Sequence, residues 1–461
     1  MVTTVEIPIW LLSIAGLLAL IAALDRIIGP GIRWIFRRRM ERVLGRVNEA
    51  LERKIEPFKL ARRQDMIVRL LYDPRVMEAV AEHAAEIGVP GSVAFEAARV
   101  YAREIVPGFS ATLYFGFATR AAKWVSRLLY RVRVGRVDAA LLRIDPKATV
   151  IFVMNHRSNA DYVLVTWLVT WLVTWLVAAR GAISFAVGEW ARVWPLAPLI
   201  RAMGAFFIRR GSRNALYRRV LARYMQIATE QGTTQAMFPE GGLSLSGRVG
   251  PAKMGLLSYV VAGFQPDGRD VVFVPVGLGY DRVLEDSLLI SAAQKGERRF
   301  RPRVLRLAWD TLRIAWARGM GRRFLYGTAG ASFGPPLSLR DHLAAGGDVE
   351  GLGARLMAAI TRVVPVLPVP LLAAVLAEGG VTRADVEGRV AAMIARLDVV
   401  GAVVKLPPQG LEMTVSEGLA PLIARGIVRE DLHPVPEKAA FLAFYAAPVQ
   451  QVLEVSAARQ T

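Results

Sequence analysis

The chain has 461 residues, 54% of them apolar, and Lys plus Arg outnumber Asp plus Glu by 59 to 39, a formal net charge of +20. Such a chain is too apolar to be a disordered polyelectrolyte and is long enough for about two or three domains around a large core. It contains no cysteine, which excludes disulfides, thiolate metal sites and any acyl intermediate carried on a protein thiol.

Ile7 to Leu24 is uncharged over eighteen residues, and as a helix it would reach roughly 27 Å, enough to cross a bilayer. Arg26 to Arg63 follows with twelve basic residues against four acidic ones. The excess of positive charge after the apolar run predicts a membrane anchor with the body of the protein on the cytoplasmic side, and the same cluster suits anionic head groups. Nucleic acid is not expected as a partner, because the arginines are scattered among Leu, Val, Ala and Trp and no reader motif is present. From Asn48 to about Tyr130 the spacing predicts helices broken at Asp73-Pro74, Gly88 to Gly91 and Pro107-Gly108.

The texture changes near Arg131. Candidate strands at 132–137, 149–154, 183–187, 205–208, 234–238 and 271–276 alternate with helical stretches, the pattern of an α/β domain with a mainly parallel mixed sheet flanked by helices. Leu164 to Val177 holds Thr-Trp-Leu-Val three times, so Trp167, Trp171 and Trp175 form a slowly drifting stripe, read as a partly buried, membrane-facing helix. Val304 to Arg318 reads as a basic amphipathic helix. After Leu337 helical patterns return, interrupted by prolines at 365–370 and 407–408. The expected division is a membrane anchor at 1–30, a basic helical region at 31–130, the α/β domain at 131–335 and a helical region at 336–461.

Four segments at predicted strand ends carry chemistry. Asn155-His156-Arg157-Ser158-Asn159-Ala160-Asp161 follows the strand at 149–154, and an imidazole beside a carboxylate is what deprotonating an alcohol requires. His156 is expected in the loop and Asp161 in the first helical turn. Gly204 to Gly211 delivers Arg209 and Arg210, a pair able to clamp a phosphate. Phe238 to Arg248 turns through Glu240, Gly241 and Gly242, where backbone N–H groups could face a developing oxyanion. Val274 to Asp281 ends the last strand of the series.

In this order and spacing the four segments resemble the blocks of the glycerol-3-phosphate and lysophosphatidate acyltransferase family, the HX4D acyltransferases, and in particular the glycerol-3-phosphate and dihydroxyacetone-phosphate branch. The resemblance is strongest over residues 150–281. It implies that His156 is the base, Asp161 its orienting acid, and that Glu240 and Gly241 shape the site. It further implies that Arg157, Arg209, Arg210, Arg248 and Lys253 are candidates for the acceptor phosphate and that Pro275, Val276 and Tyr280 line the acyl-donor site. No metal and no cofactor are implied; the partners would be membrane lipids, glycerol 3-phosphate and acyl-CoA or acyl-carrier protein.

The third block departs from the family pattern, with Leu243 and Leu245 where arginines usually stand beside the serine. The extra copies of Thr-Trp-Leu-Val are a second departure, adding about 12 Å of helix beside the catalytic motif. The expected activity is acylation of the sn-1 hydroxyl of glycerol 3-phosphate at a membrane, with dihydroxyacetone phosphate or a 1-acylglycerol 3-phosphate as alternative acceptor. A catalytically silent lipid-binding protein on the same fold is the alternative of another class.

Overall fold

The computed structural model describes residues 62–108, 119–176, 184–188, 204–209, 212–296, 326–379 and 381–457. The expected membrane span at 7–24, nearly all of the basic cluster after it and the amphipathic helix at 304–318 lie outside the described residues. Among the described residues no helix is long and apolar enough to cross a membrane.

Three helices open the described chain: α1 (Arg62–Leu71), α2 (Pro74–Ile87) and α3 (Gly91–Ile105). Their limits follow from local chemistry at the breaks read from sequence. The Asp73 carboxylate accepts the Arg75 N–H at 3.1 Å while Pro74 takes the first helical position, where no N–H is needed. Gly88 ends α2 at φ 65°, a left-handed cap that costs glycine little. After α4 (Thr119–Leu129) come β1 (Arg131–Val137), β2 (Thr149–Met154), α5 (Ala160–Leu176), β3 (Ser184–Gly188) and β4 (Ala205–Ile208). Then follow α6 (Ala215–Glu230), β5 (Gln235–Met237), α7 (Met254–Ala262), β6 (Val271–Tyr280) and α8 (Asp286–Lys295). The C-terminal part holds β7 (Thr328–Phe333), β8 (Leu337–Ser338), α9 (Leu339–Ala344), α10 (Val349–Val363), α11 (Pro368–Ala377), α12 (Val386–Val399), α13 (Leu411–Ala424) and α14 (Ala439–Ala457).

The strands form one mixed sheet in the order β1-β7-β6-β2-β5-β3-β4, with β8 also on β6. From β6 to β4 all pairings are parallel, whereas β7 and β8 run antiparallel to β6, and β1 is parallel to β7. The α/β architecture with a mainly parallel sheet agrees with the sequence reading. Two strands do not: β7 and β8 carry little β-branched or aromatic character, and β6 runs on to Tyr280 through a Gly-Leu-Gly that looks like a turn.

Those glycines serve packing instead. A Cβ on Gly277 would lie 2.3 Å from the Val363 carbonyl oxygen, one on Gly279 would lie 2.6 Å from that of Pro365, and one on Gly330 of β7 would meet the Pro365 ring at 2.9 Å. The stretch joining α10 to α11 is therefore laid directly on the backbone of β6 and β7. Pro275 sits in the gap where β6 has passed β8 and not yet met β7, a place where a missing N–H costs little.

Both faces of β2 are buried, as its unbroken apolar run demands. Val150, Phe152 and Met154 join the core beneath α4, α5, α8 and α11–α14, while Ile151 and Val153 join a second core with α1–α3, α6, α7, α9 and α10. Each outer layer of the sheet thus mixes helices from both ends of the described chain, and Pro57–Thr461 is one compact unit. Because α11 is sunk between the sheet and other helices, its residues from Pro368 to Leu376 are all buried, and its sequence is apolar on every side.

The contact beneath β6 leaves no room for a methyl group. Gly277→Ala is expected to destabilise the protein by about 1–3 kcal/mol or more, since the obstacle is backbone and cannot swing away; denaturant unfolding of the two proteins measures it.

Candidate active site

β2 ends at Met154, and the chain leaves the sheet to place His156 above it. Asn155 makes this exit possible. Its side-chain amide donates to the Leu278 carbonyl at 2.9 Å and accepts the Leu278 N–H at 2.7 Å, extending the β2–β6 ladder after the main chain of β2 has turned away. Two residues further along β6, Tyr280 reaches the same loop.

The His156 Nδ1 lies 2.9 Å from Asp161 Oδ2. That oxygen also accepts the N–H groups of Arg157 at 2.7 Å and Ser158 at 3.0 Å, and the Tyr280 hydroxyl donates to Oδ1 at 2.6 Å. Oδ2 takes two backbone N–H groups and is therefore an acceptor, so Nδ1 donates to it and Nε2 is the nitrogen left with a free lone pair. Both side chains are buried, at 1% and 0% exposure. The ring is held by aromatic contacts as well, stacked on Phe238 at 4.2 Å and met edge-on by Tyr162 at 5.4 Å. Asp161 stands in the first turn of α5, as expected, and α5 accommodates the Trp repeat by running on to Leu176 at its far end. Trp167 lies under the Arg127 guanidinium at 5.6 Å.

The third block closes over this loop from behind. The Glu240 carboxylate accepts the His156 N–H at 2.9 Å with one oxygen and the Gly250 N–H at 3.0 Å with the other, while the Ser244 N–H donates to the His156 carbonyl at 2.9 Å. Glu240 therefore clamps the main chain at His156. Burial pushes its carboxyl up to about 7, against the opposing pull of those two N–H groups and of Arg157. Gly241 is required at φ 65°, but its N–H closes a turn on the Phe238 carbonyl and is not offered to an oxyanion. A third acid that sequence reading missed, the half-buried Glu285, accepts the Ser158 hydroxyl at 2.7 Å and the Asn159 N–H at 3.2 Å at the head of α5. Its carboxyl too is raised by burial; nothing in its spacing from Asp281 signals this contact.

The expected phosphate cations are placed differently from one another. Arg157 is buried, donates to the Gly247 carbonyl and lies over the Phe444 ring at 4.9 Å, so it ties the glycine loop to α14. Arg209 is held by Glu104 through bonds of 3.0 and 2.7 Å, with Tyr101 and Tyr217 against its face. Arg248 pairs with Glu454 of α14. Arg210 lies outside the described residues. Lys253 runs over the Gly241 turn, close enough that a Cβ there would meet its Cδ at 2.8 Å and its Nζ at 3.4 Å, and no carboxylate pairs with it among the described residues.

The expected donor-site residues also fall elsewhere. Pro275 and Val276 are buried in the middle of β6 opposite Val153 and Met154, and Tyr280 is buried with its hydroxyl on Asp161. Leu243 and Leu245, half-buried, pack on the rim of the core shared with Phe238 and Phe444. The positions where the family pattern has arginines are thus apolar in contact as well as in type.

The raised Glu240 carboxyl gives a pH signature. Between its ordinary value of 4.5 and about 7 the folded chain binds this proton more tightly than the unfolded chain does, so its contribution to stability is lost as pH rises through that window. Glu240→Gln cannot ionise; the melting temperature of the natural protein minus that of the variant is expected to fall from pH 5 to about pH 7 and to level off by pH 8, as a melting series at each pH checks.

Comparison with known proteins agrees with the four blocks. Residues 137–279 match the family model described as Acyltransferase. A glycerol-3-phosphate acyltransferase of Xylella fastidiosa (strain M23) is 27% identical over 310 residues, 67% of this chain and 34% of that one. That of Aeromonas hydrophila is 29% identical over 290 residues, and the mouse mitochondrial glycerol-3-phosphate acyltransferase 1 is 29% identical over 296, covering 62% and 59% of this chain. The matched part spans about a third of the length of each of these relatives. Among solved structures, the 1-acyl-sn-glycerophosphate acyltransferase PlsC of Thermotoga maritima aligns over 64% of this chain and 96% of its own at 19% identity, with a TM-score of 0.29. Residues 137–279 are thus an acyltransferase domain, similar to that of the glycerol-3-phosphate acyltransferases.

Proposed function

We propose that this protein transfers a fatty acyl chain from a thioester, acyl-CoA or acyl-carrier protein, to the sn-1 hydroxyl of glycerol 3-phosphate, the first acylation on the way to phosphatidate. The observation that carries this reading is the buried imidazole–carboxylate pair, with Nδ1 fixed at 2.9 Å from Asp161 and the opposite nitrogen left basic. His156 Nε2 takes the hydroxyl proton as the oxygen attacks the thioester carbonyl. The tetrahedral adduct then collapses, the C–S bond breaks, and the imidazolium returns its proton to the departing sulfur. Asp161 stabilises the imidazolium and keeps the tautomer without taking the proton itself.

Lys253 is the cation we assign to the acceptor phosphate, because Arg157, Arg209 and Arg248 are engaged on protein groups. The reading places the protein at a membrane, with the 7–24 segment as anchor, the basic cluster on anionic head groups and the catalytic domain on the cytoplasmic side. Leu243 and Leu245 favour a second reading, in which the acceptor already carries one acyl chain: half-buried leucines beside the site suit an alkyl chain better than a small dianion.

Purified protein is expected to move a labelled acyl group onto glycerol 3-phosphate, and His156→Ala to abolish transfer while the melting temperature stays near that of the natural protein. Faster turnover of a 1-acylglycerol 3-phosphate in side-by-side competition decides for the second reading. Membrane binding with no turnover of any glycerolipid acceptor, with both donors supplied, leaves only a lipid-binding role.

The two kinds of cation are separable by kinetics. Lys253→Ala is expected to raise the acceptor KM about tenfold or more, the usual cost of one lost charge-assisted contact. Arg209→Ala is expected chiefly to lower the melting temperature, since it removes two charge-assisted bonds from the buried Glu104.

A further inference from the structure

Tyr280 is the residue whose observed place differs most from its expected one. It lies at the end of β6, fully buried, with its ring 5.2 Å from that of Tyr130, and its hydroxyl donates to Asp161 Oδ1 at 2.6 Å. The other carboxylate oxygen is already saturated by Nδ1 of His156 and the N–H groups of Arg157 and Ser158. Those donors all belong to the loop that Asp161 itself helps to shape. Tyr280 alone among the described donors to this carboxylate comes from another element, the rigid central strand that also holds Asn155 through the backbone of Leu278.

We infer that Tyr280 is a positioning residue of the acyl-transfer dyad, fixing the rotation of the Asp161 carboxylate, and through it the imidazole plane, relative to the sheet. Rotation about χ2 of Asp161, a broad and soft torsion, moves both carboxylate oxygens together. The loop donors hold that torsion through Oδ2 and relative to the loop alone, whereas a donor on Oδ1 anchored in a central strand ties the carboxylate plane to the sheet. A base must hold its aim at the hydroxyl to well within an ångström for proton transfer to keep pace with attack. Burial adds to the need: without the tyrosine hydroxyl, Oδ1 would be an unsatisfied ionic oxygen in an apolar setting.

The proposal rests on the acyltransferase reading for its kinetic arm only. Tyr280→Phe removes one oxygen and keeps the packed ring, and Tyr130→Phe is the control, since its hydroxyl is also buried but donates to the Arg282 carbonyl at 2.9 Å, away from the dyad. With glycerol 3-phosphate and acyl-CoA, Tyr280→Phe is expected to lower kcat about tenfold or more at unchanged KM for both substrates, and Tyr130→Phe to leave kcat as it is. Independently of any substrate, the hydrogen-bonded Nδ1 proton of His156 is observed by NMR in the full chain, assigned by its loss in His156→Gln. It is expected to shift in Tyr280→Phe and to stay in place in Tyr130→Phe. An unmoved resonance in Tyr280→Phe, or the same change in both variants, overturns the inference. An inactive natural protein in which the resonance nevertheless behaves as expected disposes of the substrate assignment and leaves the positioning role standing.

Discussion

The Asp161 carboxylate accepts four hydrogen bonds on two oxygens at zero exposure, and the arrangement around it explains most of what this molecule has built near β2. An ion that deep is sustained only by full satisfaction of its lone pairs. Each donor therefore has to be held in place by something else. The Arg157 and Ser158 N–H groups are aimed by the loop, which Glu240 clamps at His156 and Glu285 at Ser158 and Asn159. Tyr280 is aimed by β6. Two further carboxyls are drawn into the interior to hold one, and burial raises the proton affinity of both.

Much of this was legible in the sequence, for physical reasons that differ by element. β2 falls where its apolar run puts it, because a central strand buried on both faces has no other way to write itself, and β4, at the sheet edge, also falls on its apolar run. The helix breaks at Asp73-Pro74 and Gly88 were equally readable, since capping is a local transaction between neighbours. The pairing of His156 with Asp161 follows from a loop-to-helix step five residues long. β7 was not readable: its Gly330 answers to the crowding of Pro365, more than thirty residues away in sequence. The same long-range contact disguised the end of β6 as a turn.

The cations show where residue type and residue role part company. Arginines at 157, 209 and 248 stand where the family pattern leads one to look for phosphate ligands, yet each has found a partner inside the protein: a carbonyl, Glu104 and Glu454. Partner choice is decided by elements distant in the chain, α3 for Arg209 and α14 for Arg248, and a motif carries no record of them. Glu285 and Phe444 were missed for the same reason. They meet the catalytic loop only because the layers of the fold bring them there.

The strip of chain from Val363 to Leu367, resting on bare glycine backbone, also bears on how such proteins can be taken apart. The stretch that the family model covers, 137–279, stops within β6, before the strand's last residue and before α8 and α11–α14, which roof that side of the sheet together with α4 and α5. Cut out as a cassette, it would expose a glycine furrow and a greasy plain on one side and the bed of α1–α3 and α10 on the other. Grafting this catalytic centre onto another scaffold would therefore mean transplanting its proline-rich roof along with it.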